Sequence, residues 1–379
     1  MLLPNIFRFL RTTTQSRNST PTVGRELCPR HYSESIVDLL PRAELAAHPR
    51  ISAAVLAFGI AFLSFNSLEA APGIAVKEDK GSLRVEADGK PFTVYHPTGA
   101  RRPYLHPIYG PTGKSMVRNW PEQEAPGEEQ DHIHHRGLWF GHRQVNGVSF
   151  WDDFPEGGLQ IHESFSNVRS GAESGGFTEK LKWVDQQGRE ICRDERTVTF
   201  AAQGEVRSID FDVTITATQG ALVFGDDSDG LMAIRLAETM RLKVPNDIKN
   251  RKAGKKPGAG HIVNATGVRD DETWGKRAAW CDYYGPVGGE IVGVAIFDHP
   301  ENIRHPTWWH VRDYGLFSAN PFGKRGFEKL SDPRAGELTL PANGTLRFRY
   351  RFVFHRGDEV EARIAERYVE YTRAKSSSR

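Results

Sequence analysis

Two long segments of this 379-residue chain alternate strictly between apolar and polar residues, and this alternation restricts the fold more than any other feature. The apolar positions are Ile209, Phe211, Val213, Ile215 and Ala217 in one segment, and Leu346, Phe348, Tyr350, Phe352 and Phe354 in the other. Successive side chains of a strand point to opposite faces, so each segment has one face to bury and one to leave in water. Such strands are typical of antiparallel sheets. We therefore predict an all-β protein built as a large antiparallel β-sandwich.

Turn and helix signals elsewhere agree with this prediction. The pair Asp88-Gly89 predicts a hairpin turn between two strands, and residues 291–297 form a continuous apolar run, as expected for a central strand. Only the C-terminus shows helical spacing, with Asp358 as a candidate cap. The sequence does not alternate strands with long helices, which argues against a parallel α/β fold. We expect a β-sandwich that ends in a C-terminal helix.

The N-terminal part of the chain differs from the rest. Residues 1–50 are rich in Arg, Ser and Thr without apolar periodicity, which predicts a disordered extension or a start codon assigned too far upstream. An apolar run at 51–65, with a basic residue before it and two alanines after it, predicts a signal peptide at 51–71. The run is shorter than the ~20 residues of a membrane span, so membrane contact is expected only if it stays uncleaved as an anchor. The sandwich domain would then span 72–375 in the periplasm or outside the cell.

Composition excludes several classes of protein. A net charge of +2 lacks the basic excess of a dedicated nucleic-acid-binding protein, so no nucleic-acid partner is expected. Three cysteines cannot form a disulfide framework, and the sequence leaves open whether Cys192 and Cys281 pair. The chain has no Gly-rich phosphate loop, no G-x-S-x-G elbow and no C-x-x-C pair. These absences argue against a nucleotide enzyme, a serine hydrolase and a thiol redox protein.

Residues 131–163 combine titratable and aromatic side chains at a density that core packing does not require. They contain five of the chain's 14 histidines, which are His132, His134, His135, His142 and His162. Histidine titrates nearest to neutral pH and is the commonest metal ligand. The stretch therefore predicts acid–base or substrate-binding chemistry, a metal site, or histidines that only hydrogen-bond strand ends and loops.

The metal alternative rests on the spacing of two histidines. If residues 131–136 are extended, His132 and His134 point to one face and can bind one ion together with a third ligand such as His162. The metallohydrolase pattern H-x-H-x-D-H is not met, because Arg136 follows His135. The preferred interpretation requires no cofactor, and a divalent metal on His132, His134 and His162 is the alternative.

A second polar and aromatic stretch, residues 298–323, favours a carbohydrate ligand. On a strand, Trp308, His310 and Arg312 share one face, which places an aromatic platform beside two polar groups. Sugars present apolar C–H faces and a rim of hydroxyls, and small-molecule sites combine apolar walls with a few placed polar groups. We expect the two stretches to form walls of one pocket for a small-molecule or oligosaccharide substrate.

Each candidate residue has a predicted role. Proton transfer is assigned to His134 or His135 as general acid and to Glu163 or His310 as general base. Developing negative charge is assigned to Arg136 and Arg312, and stacking on the sugar ring to Trp139 or Trp308. Further substrate-binding candidates are Trp151, Asp152, His162 and His305. The predicted function is a secreted carbohydrate-active epimerase, lyase or hydrolase, and the first alternative is a non-catalytic sugar-binding module.

Several longer motifs resemble a known family. They are D-H-x-H-H-R-G-L-W at 131–139, V-N-G-V-x-F-W at 145–151, D-H-P at 298–300, H-P-T-W-W-H-V-R-D-Y-G-L at 305–316 and N-P-F-G at 320–323. Together they resemble the bacterial PmoA-like family, which is common in planctomycetes and of unknown function. The resemblance implies a fold similar to the supersandwich of galactose mutarotases. The family label implies a further alternative, a metal-dependent oxygenase or hydrolase.

Overall fold

The computed structural model describes residues 73–242 and 258–374, which belong to one structural unit. The predicted N-terminal extension (1–50) and signal peptide (51–71) lie outside the described residues. No helix within the described segments has the length and apolar character needed to cross a bilayer.

The described chain is built mainly of strands. In chain order they are β1 (Ile74–Asp79), β2 (Ser82–Ala87), β3 (Lys90–His96), β4 (Tyr104–Ile108), β5 (Leu138–His142), β6 (Leu159–Arg169), β7 (Ser174–Val184), β8 (Glu190–Gln203), β9 (Val206–Thr216), β10 (Leu222–Phe224), β11 (Gly230–Arg235), β12 (His261–Asn264), β13 (Trp280–Val287), β14 (Glu290–Asp298), β15 (Trp308–Val311), β16 (Leu316–Asn320), β17 (Leu338–Leu340) and β18 (Thr345–Arg356). The helices are α1 (Lys324–Glu328) and α2 (Ile364–Ala374), with short 3₁₀ helices at Glu238–Met240 and Asp270–Thr273.

The strands form two large antiparallel sheets. The first has the order β1-β2-β3-β4-β5-β11-β16-β15, and the second has the order β12-β13-β14-β18-β9-β8-β7-β6. Strands β10 and β17 form a separate two-stranded sheet. The predicted antiparallel β-sandwich with a C-terminal helix is confirmed. The hairpin turn predicted at Asp88-Gly89 joins β2 to β3.

Strands β9 and β18 show why the alternating segments become neighbours at the centre of the second sheet. Phe352 pairs with Ile209 in register, and both side chains are fully buried. The residues between them point to the opposite face of the sheet, where Arg351 binds Asp210 at 2.6 Å. Apolar burial therefore fixes which face turns inward, because a one-residue slip would expose the whole apolar set.

The first sheet has an inner and an outer face. Its inner face packs against the second sheet in the main core and includes Phe140, Ile234 and Trp309. Its outer face, which is turned away from the second sheet, carries a smaller buried cluster that includes Trp139 and Trp151. Side chains on the two faces of the first sheet therefore lie in different environments, and polar groups lie on its outer face.

The core between the sheets also contains charged groups. Arg196 of β8 is fully buried and donates to both carboxylate oxygens of Asp194, at 2.9 and 2.6 Å. Glu179 of β7 accepts from the Tyr95 hydroxyl of the first sheet and lies 2.6 Å from His162 Nδ1. A hydrogen-bonded network thus links the two sheets.

Two cysteines of the described chain lie in the second sheet. Cys192 of β8 and Cys281 of β13 are both free and fully buried. Burial raises the pKa of each thiol well above its usual value. The bridge that the sequence left open is not formed.

The C-terminal helix begins later than its sequence suggests. The Asp358 carboxylate accepts from the backbone N–H groups of Val360 and Glu361, at 3.0 and 2.9 Å, so it caps a turn. The helix α2 itself starts at Ile364, and its Tyr371 packs on Phe297 of the second sheet.

Candidate functional site

One row of side chains crosses the outer face of the first sheet from β4 to β15. Strand register places Tyr104 beside Trp139, Trp139 beside Ala233, Ala233 beside Ser318, and Ser318 beside His310. The two small residues lie in the middle of the row, between a tryptophan and a histidine. Loops from the ends of these strands cover the row and bring further polar groups onto it.

The segment before β5 is a turn, so the extended conformation expected for residues 131–136 is wrong. His132 has a positive φ of 42°, and the backbone N–H of His135 donates to the carbonyl oxygen of His132 at 2.9 Å. The rings of His132 and His135 therefore stack, with centroids 4.7 Å apart. His134 meets His135 edge-on at 4.4 Å.

Asp131 holds this turn in place. Its carboxylate accepts from Arg118 and, at 3.1 Å, from Arg235, and both guanidinium groups are fully buried. Burial alone would raise the pKa of Asp131, but the hydrogen bond from His132 and the charges of Arg235 and Arg118 outweigh it and lower the pKa. The turn is thus stabilised by charges that come from other parts of the chain.

His135 is a buried, neutral imidazole. Arg235 donates to its Nδ1 at 3.1 Å, so this nitrogen carries a lone pair. Burial and the charge of Arg235 lower the pKa of His135 well below its usual value. Its ring stacks on Trp139 at 5.1 Å and is 1% exposed. His135 therefore supports the site rather than reaching a ligand.

His134 lies closer to solvent, beside a carboxylate. Its side chain is 12% exposed, and its Nε2 is 3.9 Å from Asp152 Oδ1. Burial and the charge of Arg102 lower the pKa of His134 to about 3, so the ring is neutral at pH 7. Arg143 donates to both oxygens of Asp152, each at 2.9 Å. Burial raises the pKa of Asp152, but Arg143 outweighs it and keeps the carboxylate charged.

The loop before β11 brings two more carboxylates to the same guanidinium. Arg143 binds the Asp229 carboxylate, and an Asp227 carboxylate oxygen lies 4.0 Å from the Arg143 guanidinium. Burial raises the pKa of both aspartates. Asn320 of β16 donates to the carbonyl oxygens of Asp227 and Ser228, at 2.9 and 2.8 Å, and so fixes the loop on the sheet.

His310 of β15 faces this loop. Its Nδ1 donates to the carbonyl oxygen of Ser228 and lies 3.7 Å from Asp229 Oδ1. This bond places the proton on Nδ1 and leaves the lone pair on Nε2. Burial lowers the pKa of His310 to about 4. The ring is thus a neutral imidazole of fixed tautomer whose Nε2 can accept a proton.

We call the set His134, Arg143, Asp152, Asp229 and His310 the outer-face cluster. The contacts described above join its members in one chain, from His134 through Asp152, Arg143 and Asp229 to His310. A carboxylate thus separates each imidazole from the shared guanidinium. This arrangement offers hydrogen-bond donors and acceptors side by side, as the hydroxyl rim of a sugar requires.

An aromatic rim borders the cluster. The Tyr314 ring stacks on His132 at 5.4 Å, and the Arg312 guanidinium lies 5.6 Å from the Tyr314 centroid. Ile133 is 49% exposed and Phe154 is 59% exposed, although both belong to the segments that carry His134 and Asp152. Exposed apolar side chains beside placed polar groups are typical of a ligand-binding surface.

Two predicted residues of β6 lie in other interactions. Glu163, predicted as a base, binds Arg193 at 2.8 Å on the exposed face of the second sheet. His162, predicted to bind substrate or metal, is held by Glu179 and packs on Phe165 at 4.3 Å. The structure therefore does not bring them to the outer-face cluster.

Other predicted residues are also held by protein partners. His142 is fully buried and donates to the carbonyl oxygen of Gly225 at 2.8 Å. Asp298 binds His305 at 2.8 Å. Trp308 is 3% exposed, with Arg277 over its ring at 4.6 Å, so it offers no open face for stacking.

The remaining predicted residues lie around the cluster without forming its opening. Trp139 and Trp151 are each 1% exposed and pack together at 5.2 Å beneath the histidines. Arg136 pairs with Glu122 and lies 3.5 Å from Asp153. The tryptophans therefore form the floor of the site, and the exposed Phe154 offers an aromatic face at its edge.

A metal set is not assembled in the described part of the chain. Among residues 73–242 and 258–374, no three His, Cys, Asp or Glu side chains are arranged to hold one ion. The proposed ligands His132 and His134 lie on the first sheet's outer face, whereas His162 lies on β6 of the second sheet.

The sequence prediction missed several residues of the site. Arg143 and Tyr314 lie within the two stretches but were not singled out among their neighbours, and Asp227 and Asp229 lie outside both stretches. The segment Asp227-Ser228-Asp229-Gly230 was the available signal, since two acidic residues directly before a strand are placed at its edge.

The solved structures that this chain resembles include three distant ones. An α-galactosidase from Lactobacillus brevis is 10% identical with a TM-score of 0.33, and the match covers 72% of this chain and 38% of that one. A galactose mutarotase related enzyme from Lactobacillus acidophilus is 11% identical with a TM-score of 0.31, covering 74% and 97%. A galactose mutarotase-like protein from Lactobacillus casei is 7% identical with a TM-score of 0.32, covering 75% and 100%.

The comparison with curated proteins gives no match. Residues 82–369 match a family described as a family of unknown function, DUF6807. This match includes every strand from β2 to β18 and all residues of the outer-face cluster. The chain therefore belongs to the DUF6807 family.

Proposed function

We propose that the outer-face cluster binds a carbohydrate and transfers a proton on it. The observation that carries this proposal is His310, a neutral imidazole whose Nδ1 proton is fixed on Ser228 and whose neighbour is Asp229. A neutral imidazole of fixed tautomer can accept a proton at Nε2 and return it as an imidazolium. The charged pair of Arg143 and Asp152 binds hydroxyls next to it.

The role of His134 in this proposal differs from the one its sequence suggested. A pKa of about 3 leaves too little imidazolium at neutral pH for the ring to act as the starting acid. His134 is therefore assigned as a hydrogen-bond acceptor or base, on the opposite side of Arg143 from His310. The exposed Phe154 supplies the apolar surface for the ring of the sugar.

The place of action is a further part of the proposal. The apolar run at 51–65 supports export, so we place the protein and its carbohydrate in the periplasm or outside the cell.

Replacing His310 with glutamine is expected to reduce proton transfer about 100-fold or more, because the amide cannot take up the proton. Exchange between the anomers of glucose and galactose, followed by NMR, measures this step, and saturation-transfer NMR measures binding of the same sugars. His261→Gln is the matched control, since His261 is an exposed histidine of β12. The control should behave as wild type.

Three results would contradict the proposal in different ways. A wild-type protein that binds none of the sugars tested would remove the carbohydrate. Binding without anomer exchange in the wild type would leave a sugar-binding module. Activity that a chelator abolishes and added zinc, copper or iron restores would make the histidines metal ligands instead of proton carriers.

A further inference from the structure

A cavity lies beside the outer-face cluster. It has a volume of about 270 Å³ and is lined by Ile262, Asp271, Trp274, Val311, Arg312 and Asp313. It lies at the far side of β15, where the segment after β12 meets the β15–β16 loop. Among the described residues, two apolar side chains, one indole, two carboxylates and one guanidinium line a space next to the site already described.

A series of close contacts connects the cluster with this cavity. The Arg312 guanidinium lies between two rings, 5.6 Å from the centroid of Tyr314 and 5.9 Å from that of Trp274. The Trp274 ring also meets His310 edge-on at 6.4 Å. Tyr314 borders the outer-face cluster and Trp274 borders the cavity. Arg312 therefore lies between the cluster and the cavity and borders both.

The N–H groups of the Arg312 guanidinium have no acceptor among the described residues. Its contacts within the described part of the chain are with the two aromatic rings, and no carboxylate or carbonyl oxygen there accepts from it. A guanidinium has five N–H groups, which bind oxygen atoms in a fixed planar arrangement. Stacking between two rings holds this group in position, so its N–H groups are ready to bind a ligand.

The cavity lining identifies the chemistry of its ligand. Carboxylates accept hydrogen bonds from hydroxyls, the guanidinium donates to them, and Trp274 offers an apolar ring face. These are the partners of a neutral polyhydroxylated ring.

We infer that this cavity is a second sugar-binding subsite, and that the substrate is an oligosaccharide of at least two residues. The inference rests on the proposed function of the outer-face cluster and specifies its substrate class. One sugar residue occupies the cluster beside His310, and the next residue of the same chain lies against Trp274. Arg312 binds both at their junction.

The test compares disaccharides with their monosaccharides on the full chain. Maltose, cellobiose, lactose, glucose and galactose are titrated by isothermal calorimetry, with saturation-transfer NMR for weak binding. At least one disaccharide is expected to bind about tenfold more tightly than its component sugars, the effect of one added stacking or hydrogen-bonded contact. Trp274→Ala should remove this gain and leave monosaccharide affinity within about twofold.

A second variant of the cavity and a control variant at a different cavity complete the experiment. Asp313→Asn changes a cavity carboxylate without removing volume, so it should weaken disaccharide binding even if the Trp274 variant folds poorly. Arg363→Ala removes an exposed guanidinium that lines a different cavity and should change neither affinity.

The outcomes separate this inference from the proposed function. Wild-type protein that binds disaccharides no more tightly than monosaccharides overturns the subsite alone. The same holds if Trp274→Ala and Asp313→Asn retain the disaccharide gain or weaken both kinds of sugar equally. Failure to bind any of the five sugars overturns the proposed function, and the subsite with it.

Discussion

Replacing Arg196 with methionine is expected to destabilise the protein by about 3–5 kcal/mol. Arg196 is fully buried between the sheets, where it donates to Asp194 and, at 3.1 Å, to Gln160. Glu179 lies 3.9 Å away. Methionine fills a similar volume but leaves the two carboxylates without their counter-charge in a region that excludes water. The cost of an unpaired buried charge exceeds the cost of the lost packing.

The same strand provides the control for this experiment. Arg193 pairs with Glu163 and Glu190, but its side chain is 46% exposed. Arg193→Met should cost less than about 1 kcal/mol, because solvent screens an exposed pair. Urea unfolding at pH 7 measures both variants. Equal losses for the two would show that the buried carboxylates do not depend on Arg196.

Lowering the pH from 7 to 5.5 is expected to destabilise the protein through its buried neutral histidines. Burial lowers the pKa of both His142 and His310 to about 4, whereas an unfolded histidine titrates near ~6.5. Between these values the unfolded chain binds more protons than the folded one, so stability falls as the pH falls. The loss is on the order of 1 kcal/mol for each group by pH 5.5.

His355 changes stability in the opposite direction, mainly at the upper end of this pH range. Burial would lower its pKa, but the charge and hydrogen bond of Asp282 outweigh burial and raise it. Its contribution is therefore complete below the unfolded value and is lost as the pH rises through the folded value. As the pH falls from 7 through ~6.5 this contribution grows and offsets part of the loss, whereas at lower pH it is nearly complete and the loss from the neutral histidines prevails.

A single substitution isolates the effect of one buried histidine. Glutamine at position 142 keeps an N–H donor for the carbonyl oxygen of Gly225 but cannot be protonated. His142→Gln should therefore lose about 1 kcal/mol less than wild type between pH 7 and 5.5. Urea unfolding at both pH values measures the difference, and the exposed His261→Gln should follow wild type. An unchanged pH dependence in His142→Gln would contradict the assignment.

Features that depend on residues close together in the sequence could be predicted, whereas features that depend on distant residues could not. Strands β9 and β18 were predictable, because an unbroken alternation has only one way to bury its apolar residues. The turn at His132 was not predictable from its own residues. It depends on Asp131 meeting Arg118 and Arg235, which come from other parts of the chain.

The same distinction applies to the site. His134, His310 and Arg312 were found because they stand in dense polar stretches of the sequence. Whether a histidine faces a ligand or a protein partner depends on the opposite strand, as His162 and its buried partner Glu179 show. Tyr314 becomes part of the rim only through its stacking on His132.

The two buried thiols of the second sheet can report local opening of that sheet. Thiol reagents react with the thiolate, and burial both hides Cys192 and Cys281 and keeps them protonated. Their strands, β8 and β13, are separated by β9, β18 and β14 in the sheet. With Cys28 replaced by serine, the labelling rate at each thiol would show which side of the sheet separates first. Substitutions in the outer-face cluster can then be judged for their mechanical effect on the scaffold without any added probe.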